Sequence, residues 1–227
     1  METKIFTWLG REFVEVSGEA KAGESVESAT AELFERFDGE LKSHGLSLEH
    51  TARIRVFGRD RSARTDATLA RSKILSGSRR AASSSFISQP WFDSAGSAGL
   101  ELLVLRPLNT TAQRKPDDFE PARNYLCYLE YDGLLFFSGF TSEAATLAQQ
   151  IKDVLSTLDN AFARAKTDWS KVKKLSLLLQ RGSSVEEARQ VLAAANRLDA
   201  PEIEFTFVDG FAGEKYLVEI EATALQS

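Results

Sequence analysis

The sequence predicts an α+β protein made of two similar two-layer domains in tandem, each a mixed sheet with two helices on one face. Residues 11–60 are echoed by residues 132–181 at a constant shift of 121 positions (138 minus 17), which places Ser17-Gly18 on Ser138-Gly139. Helical apolar spacing also alternates with runs in which every second residue is apolar. A repeat this long indicates duplicated domains rather than a solenoid, and amphipathic helices on one sheet face give a two-layer sandwich.

The first copy begins with a predicted strand over 11–17 that ends at Gly18. From Ser25 onward the apolar positions have helical spacing, and the helix is predicted to end at His44-Gly45, where glycine can adopt the left-handed conformation. Further elements are predicted as a strand over 51–57, a helix over 62–76, and strands over 81–88 and 99–105.

The second copy contains the clearest local signal, the dipeptide Asp132-Gly133 between strands over 125–131 and 134–138. This dipeptide between alternating apolar runs indicates a β-hairpin. The remaining elements are predicted as a helix over 145–165, a strand over 172–179, a helix over 185–196, and strands around 203–207 and 216–220. Each copy therefore reads β-β-α-β-α-β-β.

The composition of one segment separates the two copies. Residues 107–123 hold three of the five prolines, Pro107, Pro116 and Pro121, which is typical of a linker. We therefore predict domains over 1–106 and 124–227.

Charge and cysteine content narrow the class of protein. The net charge of −5 argues against a nucleic-acid partner, because such binding depends on neutralising phosphates. The one cysteine, Cys127, cannot form an intramolecular disulfide. No run approaches the roughly 18 apolar residues of a membrane helix. We expect a cytoplasmic protein without a membrane partner.

Motifs for metal or cofactor chemistry are absent from the sequence. The two histidines, His44 and His50, are not spaced as ligands on one face, and no P-loop, dinucleotide-binding glycine pattern or paired-cysteine motif occurs. We therefore predict no metal and no cofactor. Catalysis would have to come from arginine, carboxylate and hydroxyl groups around a small pocket.

Several segments together resemble the Rid family, the reactive intermediate deaminases also described as L-PSP endoribonuclease-like. They are Leu-Phe-Phe-Ser-Gly at 135–139, the long helix that follows, Lys-Val-Lys-Lys-Leu-Ser-Leu-Leu-Leu at 171–179, and Leu-Val-Glu-Ile-Glu-Ala-Thr-Ala at 217–224. The resemblance covers nearly the whole chain as two tandem domains. It implies a chorismate-mutase-like fold, a homo-oligomer with a trimer favoured, and clefts at subunit boundaries that hydrolyse 2-imino or 2-enamino acids to 2-oxo acids and ammonium.

The resemblance also assigns substrate-binding residues. The family's carboxylate-binding arginine corresponds to Arg80, with Arg79 as a substitute, and a polar residue at a helix start corresponds to Asp66. In the second copy the arginine position is expected to hold Ile203. A guanidinium can grip a carboxylate as a fork whereas isoleucine cannot, so the second copy is expected to have lost this function.

Catalytic residues follow from the same resemblance. The glutamate that positions water in the family corresponds to Glu219, and more loosely to Glu101. The family's strand serine corresponds to Ser138 and Ser17, and its upstream tyrosine to Tyr125. At the 121-residue shift, the first copy has lysine where the second has Tyr125.

Together these residues predict one composite cleft, with Arg80 and Asp66 from the first domain and Tyr125, Ser138 and Glu219 from the second. The predicted function is hydrolysis or deamination of a small imine or enamine carboxylate. The alternatives are a non-catalytic carboxylate-binding or scaffold protein and, disfavoured by the acidic charge, a protein that acts on RNA. We expect the stretch 89–99, with Trp91, to be a lid over a pocket or an oligomer contact, and its serines and glycines favour the lid.

Overall fold

The computed structural model describes residues 1–197 and 202–226. In these residues the chain forms two mixed sheets and four α-helices, which confirms the predicted α+β class. The first half consists of β1 (Glu2–Trp8), β2 (Arg11–Glu19), α1 (Val26–Ser43), β3 (Thr51–Gly58), α2 (Arg61–Ile74), β4 (Ala82–Ile87) and β5 (Ala98–Arg106).

The second half repeats this order after one additional strand. It consists of β6 (Arg114–Asp118), β7 (Leu126–Tyr131), β8 (Leu134–Phe140), α3 (Leu147–Arg164), β9 (Val172–Gln180), α4 (Val185–Ala194), β10 (Glu202–Val208) and β11 (Val218–Leu225). The helices α1 and α3 both have 18 residues and begin at 26 and 147, so the predicted shift of 121 relates them. The tandem repeat is therefore present in the fold.

The two sheets have matching topology. Their strand orders are β1-β2-β5-β3-β4 and β10-β9-β11-β8-β7-β6. In each sheet one pair is parallel, β3 with β4 and β9 with β10, and the other pairs are antiparallel. The parallel pair is joined by the second helix of its half, which acts as the crossover that parallel strands require.

The segment 107–123, predicted as a linker, contains β6. This strand pairs with β7 and extends the second sheet to six strands. Its sequence Arg-Lys-Pro-Asp-Asp has no apolar alternation, so hydropathy alone gives no strand signal. A proline is tolerated there because β6 lies at the sheet edge.

The start of α2 is fixed by two residues of the turn before it. The Asp60 carboxylate accepts a hydrogen bond from the Ala63 amide at 2.9 Å and caps the helix. A Cβ on Gly58 would lie 2.3 Å from the Arg64 nitrogen, so only glycine lets the helix begin this close to the end of β3. Arg64 is thereby held beside the sheet edge.

The sheet faces that carry no helices pack against each other and join the two halves. The apolar part of this contact holds buried side chains from both halves: Phe13, Ala52, Ala82, Leu105, Leu126, Leu129, Tyr131, Leu134 and Phe136. Burial of such side chains is the main favourable contribution to association of the two halves.

A buried charge network lies beside the apolar contact. Arg55 on β3 donates from Nη2 to Glu221 Oε2 at 2.8 Å and from Nη1 to Glu101 Oε1 at 3.1 Å. Arg53 donates to the backbone carbonyls of Phe137 at 3.0 Å and Ala222 at 2.7 Å. Two arginines of the first half are thus hydrogen-bonded to strands β8 and β11 of the second half, and these directional contacts fix the position of one sheet relative to the other.

We expect Arg55→Ala to lower the free energy of unfolding by about 3 kcal/mol, because Glu221 would lose its main partner while it stays buried. Chemical denaturation measures this change. Lys73→Ala is the control, since Lys73 and Glu27 form an exposed ion pair that contributes little. Equal effects of the two substitutions would contradict the role assigned to the buried network.

Candidate functional site

A cleft of about 340 Å³ opens where the edge of the first sheet meets the second half. One wall is formed by α2 and β4, and the other by the segment before β7, by β8 and by β11. Polar side chains from both halves face it, so neither half could form this cleft alone.

Glu219 projects from β11 into the cleft and is only 7% exposed. The side chain lies against Gly139, where an added Cβ would be 1.7 Å from Oε1. Burial raises the pKa of Glu219 to about 8, and the nearby charge of Glu221 adds to the rise. Glu219 is therefore mostly a neutral carboxylic acid at pH 7.

Glu221 lies two residues further along the same strand and has the opposite character. Burial alone would raise the pKa of Glu221, but Arg55 and Arg53 together hold it well below its usual range. The buried Ser84 hydroxyl lies near both Glu219 and Glu221, without a hydrogen bond of good geometry to either. The first-half arginines thus keep one glutamate charged while its neighbour is neutral.

Two arginines on one face of α2 form the opposite wall. Arg64 donates to the hydroxyl of Ser85, and Arg71 donates to that of Ser83 at 3.2 Å. Neither arginine forms an ion pair in the parts of the chain that the structure describes, and both Nε groups lack a hydrogen-bond partner there. Burial lowers the pKa of Arg71 to about 10, and the charges of Arg64 and Arg80 add to this effect.

Tyr125 closes the cleft on the side of the second half. Its hydroxyl accepts a hydrogen bond from Arg123 Nη1 at 2.6 Å, and burial raises the pKa of this tyrosine. The Arg123 guanidinium stacks on Phe119 at 4.4 Å and lies at the exposed mouth. Tyr125 can therefore act as a hydrogen-bond donor to a bound molecule.

Of the residues predicted from the sequence, Glu219 and Tyr125 line the cleft together. Ser138 does not line it, because its buried Oγ accepts a hydrogen bond from the Ser83 amide at 3.0 Å and joins β8 to β4. Arg80 binds both carboxylate oxygens of Asp118, at 3.0 and 2.5 Å. It lines an adjoining pocket of about 440 Å³ that shares Arg71 and Tyr125 with the cleft.

The other four candidates lie elsewhere. Asp66 is on α2 but does not line the cleft. Arg79 is at the surface, where its Nε donates to Glu49 at 2.6 Å. Ser17 and Glu101 are paired in the ladder between β2 and β5, and Glu101 binds Arg55.

The strand register corrects the expected correspondence between Glu101 and Glu219. Arg55 pairs with Glu101 and Phe57 with Gly99, whereas Ser176 pairs with Glu221 and Leu178 with Glu219. Since a shift of 121 relates Arg55 to Ser176 and Phe57 to Leu178, the counterpart of Glu101 is Glu221. The first copy has Gly99 where the second has Glu219.

Trp91 occupies the space above Gly99. An added Cβ on Gly99 would lie 1.9 Å from this indole, which stacks on Phe57 with ring centroids 4.5 Å apart. The stretch 89–99 therefore fills the position equivalent to the Glu219 site in the other copy. Trp91 does not line the cleft that contains Glu219.

The register also corrects the expected match between Arg80 and Ile203. Ile54 pairs with Ser83 in the first sheet, and Leu175 pairs with Ile203 in the second. Ile203 is therefore the counterpart of Ser83. The position equivalent to Arg80 lies outside the described residues.

Sequence reasoning missed Arg64 and the pairing of arginines with serines. Arg64 and Arg71 are seven residues apart, which places both on the same face of a helix. Ser83 and Ser85 are two apart, which places both on one face of a strand. Both spacings can be seen in the sequence, but nothing in the sequence indicates that this face of α2 contacts this face of β4.

Comparison with known proteins identifies the family. Residues 115–226 match the family described as endoribonuclease L-PSP. The second half of the chain therefore belongs to this family, which is the Rid family of the resemblance described above, and the first half repeats the strand order of the matched half. A search of curated proteins gives no match.

Solved structures match one half or the whole chain. A YjgF/YER057c/UK114 family member from Mycobacterium tuberculosis is 25% identical over 50% of this chain and 99% of its own, with a TM-score of 0.45. A Rid family protein of unknown function from Yersinia pestis is 20% identical over 49% and 98%, with a TM-score of 0.43. A chorismatase is 16% identical over 97% of this chain and 79% of its own, with a TM-score of 0.62, and shares the two-domain fold.

The described ranges show no feature typical of a membrane-spanning helix or of a metal site. None of the helices in residues 1–197 and 202–226 is both long and apolar enough to cross a bilayer. The same residues contain no group of three or more His, Cys, Asp and Glu side chains arranged to hold a metal ion.

The raised pKa of Glu219 predicts a pH-dependent stability. Between about pH 4.5 and 8 the folded state holds a proton that the unfolded state has released, so stability falls as pH rises through this window. Glu219→Gln keeps a neutral side chain and removes the pH-dependent contribution of Glu219 to the stability of the folded state. We expect the variant to gain thermal stability relative to wild type at pH 8.5 but not at pH 4.5. Parallel stability curves over this range would contradict a buried neutral Glu219.

Proposed function

We propose that the chain hydrolyses a small imine or enamine carboxylate in the cleft between its two halves, releasing a 2-oxo acid and ammonium. The observation that carries the proposal is a buried neutral carboxylic acid, Glu219, that shares a small cleft with arginines lacking carboxylate partners. An acid near its own pKa can both give and take a proton at neutral pH, which is what imine hydrolysis requires.

In this mechanism Arg64 holds the substrate carboxylate, since a guanidinium can donate two parallel hydrogen bonds to it. Glu219 donates its proton to the imine nitrogen, and a water oxygen forms a bond to C2. The Glu219 carboxylate then takes the proton that the water releases. The carbon–nitrogen bond breaks as the nitrogen receives this proton from Glu219, and ammonia leaves and takes up a proton from solvent to become ammonium. The Glu219 carboxylate takes the proton of the remaining hydroxyl group, so that the 2-oxo acid forms and the neutral Glu219 is restored.

Tyr125 and Ser138 complete the proposed site. In this proposal the Tyr125 hydroxyl, which lines the cleft, orients the water or the leaving amine by a hydrogen bond. Ser138 acts indirectly, because it ties β8 to β4 through the Ser83 amide. An imine carbon is already electrophilic, so positioning of the water supplies much of the rate acceleration.

Arg80 was the expected carboxylate anchor and has a reduced role in this proposal. Its charge is already balanced by Asp118, and a substrate would have to displace that carboxylate. Arg64 has no such competitor within the described chain. Family membership supports the proposed reaction class and is compatible with either arginine as the anchor.

A non-catalytic carboxylate-binding protein is the second candidate. The unpaired arginines favour binding of an anion whether or not a reaction follows. The two functions differ in the role of Glu219. A binding protein would tolerate its replacement by glutamine, whereas a deaminase would not.

The deaminase proposal is tested with 2-iminopropanoate generated in situ by an amino-acid oxidase. We expect Glu219→Gln to lower kcat/KM about 100-fold, because glutamine cannot transfer a proton. In wild type, kcat/KM should fall as pH rises through about 8, where Glu219 loses its proton. Glu186→Gln is the matched control, since Glu186 is exposed on α4. No hydrolysis above background, or unchanged kinetics in Glu219→Gln, would refute the proposal.

We further propose that the chain assembles as a homotrimer, in line with the family resemblance. Light scattering after size exclusion should give three times the chain mass. A monomer at micromolar concentration would reject this assembly.

We also propose that the protein works in the cytoplasm. Cys127 is buried, and burial raises the pKa of its thiol to about 11, so it is a poor partner for an intermolecular disulfide. Cell fractionation tests this location, and recovery outside the cytoplasmic fraction would oppose it.

A further inference from the structure

We infer that the cleft takes a substrate with two anionic groups, one bound by Arg64 beside Glu219 and the other by Arg71 beside Tyr125. The second group is a carboxylate or a phosphate, since both accept the guanidinium fork. This inference rests on the proposed function and specifies its substrate class.

The β4 serines keep the two guanidiniums apart. Arg64 is hydrogen-bonded to Ser85, and Arg71 to Ser83. Two residues apart on a strand, these serines are separated by about 7 Å. The two arginines therefore provide two separate anion-binding points rather than one shared grip on a single carboxylate.

Neither arginine has a carboxylate within ion-pair distance in the described part of the chain. Arg71 is 6% exposed, its Nε has no hydrogen-bond partner there, and the charged groups that perturb it are Arg64 and Arg80. A buried cation without a partner is costly. A ligand that brings one anion to each arginine removes this cost, whereas a monoanion leaves one arginine unpaired.

The serine positions are apolar in the other copy. The strand register relates Ser83 and Ser85 to Ile203 and Phe205 on β10, which pack against the core of the second half. The fold thus does not require hydroxyl groups at these positions, and the serines that hold Arg64 and Arg71 serve the cleft.

The cleft also distinguishes the two ends of such a substrate. Arg64 and Glu219 line the same cleft and are electrostatically coupled, so these groups are neighbours and mark the reacting end. Arg71 lines both the cleft and the adjoining pocket, so the distal anion lies towards that pocket. Arg123 at the mouth adds a third positive charge on the same side.

The test compares binding of three 2-oxo acids by calorimetry at pH 7: 2-oxobutyrate with one anionic group, 2-oxoglutarate with two carboxylates, and phosphonopyruvate with a carboxylate and a phosphonate. We expect one or both dianions to bind about 10- to 100-fold more tightly than 2-oxobutyrate, as one further charged hydrogen-bonded contact would give. The preferred dianion identifies the second group.

Three variants localise the effect. Arg71→Gln should remove the preference, so that the affinities for the dianion and for 2-oxobutyrate come within a few-fold of each other. Arg71→Lys keeps the positive charge and should disturb the fold less than Arg71→Gln. This variant should retain part of the preference for the dianion. Arg36→Gln is the control, since Arg36 is exposed on α1, and it should change nothing.

The outcomes separate this inference from the proposed function. If the protein hydrolyses 2-iminopropanoate but binds 2-oxobutyrate as tightly as the two dianions, the inference is overturned and the deaminase proposal stands. Dianion preference that depends on Arg71, without hydrolysis of any imine, would support the inference and reject the deaminase. A preference that survives both Arg71 substitutions would overturn the assignment of the second anion to this arginine.

Discussion

The candidate site depends on the buried pair of Arg55 and Glu221. This pair crosses from β3 of one half to β11 of the other, and Arg53 reinforces it through backbone carbonyls of β8 and β11. Apolar contacts alone would tolerate some sliding between the sheets, because they are not directional. Hydrogen-bonded charges fix the offset, and the offset decides that Glu219 faces α2 and β4. Burying these charges costs free energy, but their directional hydrogen bonds give the second half a defined position.

The same pair separates the chemistry of two glutamates on one strand. Glu221 is charged because Arg55 and Arg53 surround it. Glu219, two residues away, lies in a buried environment where its nearest carboxylate neighbour is that charged group, so its proton is retained. Pairs of carboxyl groups whose surroundings drive their pKa values apart often divide acid and anion roles. Here the anion is structural and the acid faces the cleft.

The sequence predicted the fold well because its evidence is local and periodic. The shift of 121, the Asp132-Gly133 turn and the amphipathic helices each depend on neighbouring residues, and all appear in the structure. The site was predicted less completely, since it depends on contacts between distant segments. Glu219 and Tyr125 came from the family resemblance, whereas Arg64 was missed because only the packing of α2 against β4 shows that its guanidinium reaches Ser85. Conversely, nothing local in the sequence indicates that Arg80 forms an ion pair with Asp118, which lies 38 residues away along the chain.

The central claim is that this interface keeps Glu219 neutral near physiological pH. Titration of carbon-13-labelled glutamate side chains by nuclear magnetic resonance tests it directly, with Glu219→Gln used to assign the signal. The account predicts one glutamate that titrates near pH 8, absent in the variant. If every glutamate has titrated by about pH 6 in the folded protein, Glu219 is an ordinary carboxylate and the proposed acid does not exist.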